Sequence, residues 1–482
     1  MPARKTVVEH GFPDEIVAGW TNLKDELGIP ESFPDEVYTE VELVLARGHD
    51  ASLGHVDRTD LDFVTIDPPT SMDLDQAMLI EQADAGGFRV WYAIADVAAW
   101  VRPGGAIDLE AKRRGQTFYA PTSRSPLHPP ELSEGAASLL PDDVARPALV
   151  WRFDLDDCGE VTDATVERAL VKSRAKLNYA DVQAEIDAGT AHPTMMLLKQ
   201  VGELRQQLEV ERGGVSLNLP DQEVTTDDGV WQLEYRAPLP NEGWNAQISL
   251  MTGYTAAKMM LEEGVGILRT LPPADDRTID TLRKVAKSLD LSWPRDMDYA
   301  EFVRSLDPTQ PEDQAMMMSC VRLFRGAGYT VIEDGLRAEQ LVHGALAANY
   351  AHTTAPLRRL VDRYVGEICL AISAGVDVPQ WAVEALDWLP EVMDDSDRRA
   401  KAYERGINDL VEALVLQHRQ GETFTGVVIQ VDQKRKGSGI LSVADPAVEG
   451  PVRGRAVELG DEVTAKLTRV NLAEGRIEFE AR

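Results

Sequence analysis

Apolar and polar positions change their period twice along the chain. Near the start, residues 14–27 and 35–47 repeat apolar side chains at helical spacing, each behind a Phe-Pro, with Pro30-Glu31-Ser32 between them. That pattern predicts two short helices. From residue 61 short strand signals take over, at 61–66, 76–81, 88–97 and 147–155, and helical spacing returns over 246–262, 297–305, 313–325 and 361–374. The last segment again reads as short alternating strands, at 424–431, 439–443, 452–456, 462–470 and 476–480, broken by glycine and charged turns. Five such strands in about 60 residues suggest an OB-fold barrel. The whole is predicted to be α+β. Residues 1–60 form a short helical N-terminal unit, either helix-turn-helix-like or a packing hairpin. Residues 61–420 form a mixed domain and 421–482 the β-barrel.

A chain of 482 residues is too long for one core. No apolar run approaches the ~18 residues that span a bilayer, and the N-terminus shows no apolar signal core, so no membrane is expected. Cys158, Cys320 and Cys369 are scattered without paired or metal-ligand spacing, which fits a reducing cytoplasm. No obligate protein partner is evident. The net charge of −32 disfavours phosphate binding unless basic residues are focused locally. Lys112-Arg113-Arg114, Arg358-Arg359, Arg363, Arg398-Arg399-Lys401 and Lys434-Arg435-Lys436 are such clusters, and for each the alternative is a solvated helix face.

Candidate chemistry concentrates in residues 65–78, where Asp67, Asp73 and Asp75 fall within nine residues on a loop broken by Pro68 and Pro69. Carboxylates held so close repel unless a positive charge lies between them, and a hard divalent cation takes oxygen ligands. A solvated acidic turn and a structural calcium loop remain open on spacing alone. An EF-hand is excluded, because the loop lacks both the required Gly and the closing Glu.

This stretch resembles the signature of the ribonuclease II (RNB) family of 3′→5′ exoribonucleases, a Thr-Ile-Asp followed by spaced aspartates. Three of the four family acids are matched, and Gln76 stands at the fourth. The resemblance continues through Ala93-Ile94-Ala95-Asp96-Val97, Pro103–Asp108, Tyr119-Ala120-Pro121 and Ser138-Leu139-Leu140-Pro141. It resumes at Tyr350-Ala351-His352-Thr353-Thr354-Ala355-Pro356-Leu357-Arg358-Arg359, with Ala355 for the usual Ser and Leu360 for the usual Tyr. It covers about residues 60–420 and, more weakly, the tail. Two glutamates that open a family helix are replaced by Ala246 and Gln247.

The resemblance implies an RNB-type catalytic domain that hydrolyses single-stranded RNA processively to nucleoside 5′-monophosphates. One or two ions of Mg²⁺ or Mn²⁺ would be held by Asp67, Asp73, Asp75 and, more weakly, Gln76. Asp75 and Arg358 would be catalytic. Tyr119 would stack on a base near the 3′ end, His352 and Arg359 would position the strand, and Glu404 matches a further family acid. Lys434-Arg435-Lys436 is the phosphate-facing loop expected of the barrel. Rival readings are an RNA-binding protein of the same fold that lost catalysis, for which Gln76 speaks, and a phosphodiesterase acting on DNA or small nucleotides.

Overall fold

The computed structural model describes residues 6–8, 14–83, 86–121, 123–215, 221–227, 230–236, 238–307, 310–324, 326–432, 435–455 and 457–481. Arg325, Lys434 and Ala456, named above in a predicted helix, a basic loop and a strand, lie outside these residues. Twelve helices are described: α1 (Asp14–Leu27), α2 (Asp35–Arg47), α3 (Ala106–Arg114), α4 (Tyr179–Ala188), α5 (Pro193–Arg212), α6 (Pro240–Glu263), α7 (Asp276–Ser288), α8 (Tyr299–Arg304), α9 (Pro311–Cys320), α10 (Leu360–Ala374), α11 (Gln380–Ala385) and α12 (Leu389–Leu416).

A seven-stranded sheet organises the region that follows α2. Its order is Ser173–Leu177, Phe63–Ile66, Gln76–Gln82, Phe88–Ala95, Arg146–Leu155, Val161–Val171 and Val56–Asp57. The inner pairs are antiparallel and both edge pairs are parallel. Alternation along each strand sorts side chains to two cores. Val64, Met78, Tyr92, Ile94, Leu149 and Trp151 face one, closed by α5, α6 and α10 through Leu198, Trp244, Ile248 and Val365. Phe63, Ala77, Ala93, Ala95, Ala148 and Val150 face the other, closed by Val37, Val41 and Val44 of α2 and Ile107 of α3. Alanines recur on that second face, which leaves room for α2 and α3 to lie close.

The C-terminal strands Thr423–Val431, Ser438–Val443, Val448–Arg453, Arg476–Ala481 and Glu462–Asn471 close a five-stranded barrel in that order. The fold is α+β, with a closed barrel in the C-terminal region. Phe424 and Phe479 are buried inside the barrel, edge to face at 5.9 Å, so they fill its core rather than offer stacking platforms.

The N-terminal helices do not close a core of their own. Ile16 and Trp20 of α1 join the barrel core with Tyr403, Ile407, Leu410 and Leu414 of α12, whereas α2 covers the sheet. Each helix has one apolar stripe, and the two stripes meet different bodies. The 28-residue α12 would extend about 42 Å. It carries apolar side chains into the barrel core through Leu410 and Leu414 and into the sheet core through Leu389 and Met393.

Candidate active site

The acidic loop leaves the sheet at Ile66 and returns at Gln76, and the backbone around it is pinned on both sides. Asp67 N–H donates to the Leu177 carbonyl at 3.1 Å, and Lys176 Nζ donates to the Pro69 carbonyl at 2.7 Å. Ser138 Oγ accepts from Leu74 N–H at 2.9 Å and donates to the Met72 carbonyl at 2.6 Å. The loop is therefore fixed from the edge strand on one side and from the 138–140 segment on the other.

Asp75 is buried at 3% exposure. One carboxylate oxygen accepts Leu357 N–H at 2.7 Å, and the other accepts Arg358 Nε at 3.2 Å. The acidic loop and the arginine segment, 283 positions apart, thus meet on one carboxylate. Burial pushes Asp75 up to about 8 despite Arg358, and the neighbouring Asp73 and Asp362 add to that rise. Arg358 remains 45% exposed. Asp73 accepts Arg124 Nη1 at 3.1 Å and Tyr119 Oη at 3.0 Å. Arg124 is itself paired with Glu134. Tyr119 is 45% exposed, and burial of its hydroxyl followed by the nearby carboxylates raises its pKa.

Gln76 behaves differently from its acidic neighbours. Its amide nitrogen donates to the Thr354 carbonyl at 2.5 Å, and its oxygen accepts Tyr92 Oη at 2.9 Å. Both ends of the amide are engaged, and the donor end is one that an aspartate would lack. Thr354 is held from α6 as well, by Ser249 Oγ at 2.7 Å.

Arg359 forms a bidentate pair with Asp362 at 2.5 and 2.7 Å, and Asp362 also accepts Ala355 N–H at 2.8 Å. The Arg359 guanidinium is thus engaged by Asp362. His352 shares a hydrogen bond with Tyr329 Oη at 2.8 Å. Burial, followed by the Arg359 and Arg269 guanidiniums, holds His352 well below the usual imidazole range, so it is neutral. Glu404 is half-buried on α12, about 12 Å along the helix from Ser396, whose carbonyl takes the Gln116 amide. Arg435 and Lys436 are exposed in the turn after Thr423–Val431, and Lys434 lies outside the described residues.

Several of the basic residues are paired with acids or stacked on a ring. Arg113 and Arg114 bind Glu110, Lys112 lies 3.8 Å over the Trp388 ring, and Arg363 pairs with Asp108. Arg398 and Arg399 pair with Asp395, and Lys401 lies 3.9 Å from Asp397. For Arg113, Arg398, Arg399 and Lys401 the acid lies three or four positions earlier on the same helix, which is the solvated-face alternative, whereas Arg114 and Arg363 are buried. Gln247, at a family glutamate position, is buried and donates to Glu209 at 2.5 Å between α5 and α6.

Two tyrosines were not singled out from sequence. Tyr179, at the start of α4, accepts Asn245 Nδ2 at 2.9 Å, and burial together with the Asp67 carboxylate raises its pKa. Tyr92 holds Gln76, and Asp67 acts on it in the same way. Their only signal was a tyrosine on a strand or behind an Asn N-cap, which is also how a packed tyrosine reads.

The donor set suits a hard divalent cation: carboxylates and an amide oxygen around a buried acid whose charge is incompletely offset. As placed, however, the oxygens of Asp73 and Asp75 are engaged by Arg124, Tyr119, Leu357 and Arg358. Among the described residues no three His, Cys, Asp or Glu side chains are grouped to hold an ion.

Over residues 55–373 the chain matches the RNB domain, and over 422–482 the RNase II-type exonuclease C-terminal S1 domain. It is similar to Ribonuclease R of Vibrio cholerae, with 27% identity covering 94% of this chain and 60% of that protein, so the chain spans less than two thirds of that relative. It is also similar to Mycoplasma genitalium RNase R in complex with ribose-methylated single-stranded RNA, at 19% identity and a TM-score of 0.84 over 98% of this chain and 79% of that one. Yeast Ssd1, a pseudonuclease, is similar at 15% identity and a TM-score of 0.67 over 86% of this chain and 52% of that one. Both structural likenesses concern the fold. No described helix is long and apolar enough to cross a membrane.

Proposed function

The chain belongs to the RNB family, and from that premise we propose that it is a metal-dependent, processive 3′→5′ exoribonuclease that releases nucleoside 5′-monophosphates from single-stranded RNA. The observation that carries this reading is the meeting of Asp75 with Arg358 across 283 positions, beside Asp73 and an exposed Tyr119. The Vibrio cholerae relative bears the name Ribonuclease R, and the Mycoplasma genitalium structure holds single-stranded RNA.

Hydrolysis of a phosphodiester needs an attacking water, charge neutralised on the phosphate, and a stabilised leaving oxygen. Mg²⁺ or Mn²⁺, held by Asp67, Asp73 and Asp75, would supply Lewis acidity and lower the pKa of bound water. Arg358 presents its planar fork to the non-bridging oxygens, where it gains most as charge builds. The open face of Tyr119 accepts a base by stacking, while its hydroxyl stays on Asp73. His352 and Arg359 would position the strand, with Arg359 oriented by Asp362. Arg435 and Lys436 are exposed cations that the barrel can offer to the RNA backbone.

One observation favours a second reading, an RNA-binding protein without catalysis: the Gln76 oxygen is already bonded to Tyr92. A time course on 5′-labelled single-stranded RNA separates the two readings. Degradation to a short limit product with Mg²⁺, absent with EDTA and in Asp75→Asn, establishes the nuclease. Intact RNA that the wild type still binds establishes the binding protein.

A further inference from the structure

The hairpin that carries Tyr119 has two faces. Its strands, Phe118–Tyr119 and Arg124–Ser125, pair Phe118 with Ser125 and Tyr119 with Arg124. Residues opposite each other in an antiparallel pair share a face, and successive residues alternate between faces. Tyr119 and Arg124 form one face, and both bind Asp73. Phe118 and Ser125 form the other, and both meet the segment between α1 and α2. Phe118 is buried in one apolar cluster with Ile16, Trp20 and Ile29, and Ser125 Oγ donates to the Pro30 carbonyl.

The surroundings reinforce this attachment. Arg114, 1% exposed, donates to the carbonyls of Ser32 at 2.6 Å and Pro126 at 3.0 Å, and lies 3.7 Å over the Phe33 ring. Arg399 of α12 donates to the Gly28 carbonyl at 3.4 Å and lies 5.3 Å from the Phe118 ring centre. From the same stretch, Thr117 N–H reaches the Arg358 carbonyl at 2.9 Å. One short segment therefore touches the N-terminal linker, the acidic loop and the arginine motif.

We propose that residues 28–33 are a positioning element for the active site. They seat the back of the hairpin so that Tyr119 and Arg124 stand on Asp73, without touching RNA themselves. Ser125 is the positioning residue of this attachment. The role of Tyr119 toward the 3′ end of RNA rests on the function proposed above, whereas the seating of the hairpin does not.

The test uses the full chain with Ser125→Ala, Tyr119→Ala and both together. Amide hydrogen exchange is read over residues 117–127, and the affinity for a fluorescent single-stranded RNA is read in EDTA, where no hydrolysis intervenes. Ser125→Ala is expected to speed exchange in 117–127 while leaving the barrel unchanged. It is also expected to weaken RNA binding about three- to ten-fold, the scale of one lost hydrogen bond. In the Tyr119→Ala background the second substitution should add nothing. Unchanged exchange overturns the proposal, as does equal weakening in both backgrounds, which would mark a general loss of stability. Should the wild type bind no RNA, the nuclease reading fails, and the exchange result alone decides whether residues 28–33 seat the hairpin.

Discussion

Gln76 stands where the family carries a fourth acid, and its two hydrogen bonds decide what a substitution there does. Gln76→Asp removes the donor to the Thr354 carbonyl and sets a carboxylate beside Asp75. The expected result is a loss of roughly 1–3 kcal/mol in a urea titration, with no gain in hydrolysis. An unchanged midpoint would show that the amide bridges nothing. Arg358→Lys keeps the charge but loses the fork. Hydrolysis is expected to fall roughly 10²-fold with little change in melting temperature, because the side chain is 45% exposed. His128 supplies a pH test away from the acids. Burial, followed by the Arg363 guanidinium, pushes its imidazole down to about 3. The folded state therefore favours the neutral ring. That stability is complete above the ordinary value near 6.5 and is lost as pH falls from there toward 3. At pH 5 the loss is about 2 kcal/mol. The drop in urea stability between pH 7 and pH 5 should be smaller by that amount in His128→Asn.

Among the elements, α1 and α2 were legible to the residue, because Phe-Pro entries and clean apolar spacing mark both. The acidic loop was legible for a similar reason: local chemistry announces it. Neither route could reveal where α1 and α2 dock, since docking depends on partners hundreds of positions away. α12 escaped notice because Asp394, Asp395, Asp397, Arg398, Arg399 and Lys401 interrupt its apolar period. Its basic run then suggested phosphate binding, although the intervening acids pair with it. The parallel edge strand Ser173–Leu177, which anchors the loop through Lys176, was missed in the same way, as was Tyr179 just beyond it. At this scale Arg114 makes the sharpest prediction. Arg114→Met leaves the Pro30 and Ser32 carbonyls without that donor and should cost about 3 kcal/mol or more in denaturant titrations. A cost under 1 kcal/mol would show that this buried arginine is dispensable.

Over the whole molecule the charge is −32, and among the described residues the basic clusters at 112–114, 363 and 398–401 are paired with acids or stacked on a ring. RNA is then expected to be gripped by few cations, chiefly Arg358, Arg435 and Lys436. The logarithm of RNA affinity should fall only shallowly with that of salt, with a slope near −2 for about three neutralised phosphates. A slope steeper than about −5 would reveal a basic surface that the paired clusters do not provide. α12 has a consequence of another kind. Because it lends side chains to the barrel core at one end and to the sheet core at the other, neither can melt without stripping a partner from its neighbour. Heat should therefore undo the protein in one cooperative step. A calorimeter should record a single peak rather than a barrel that lets go first.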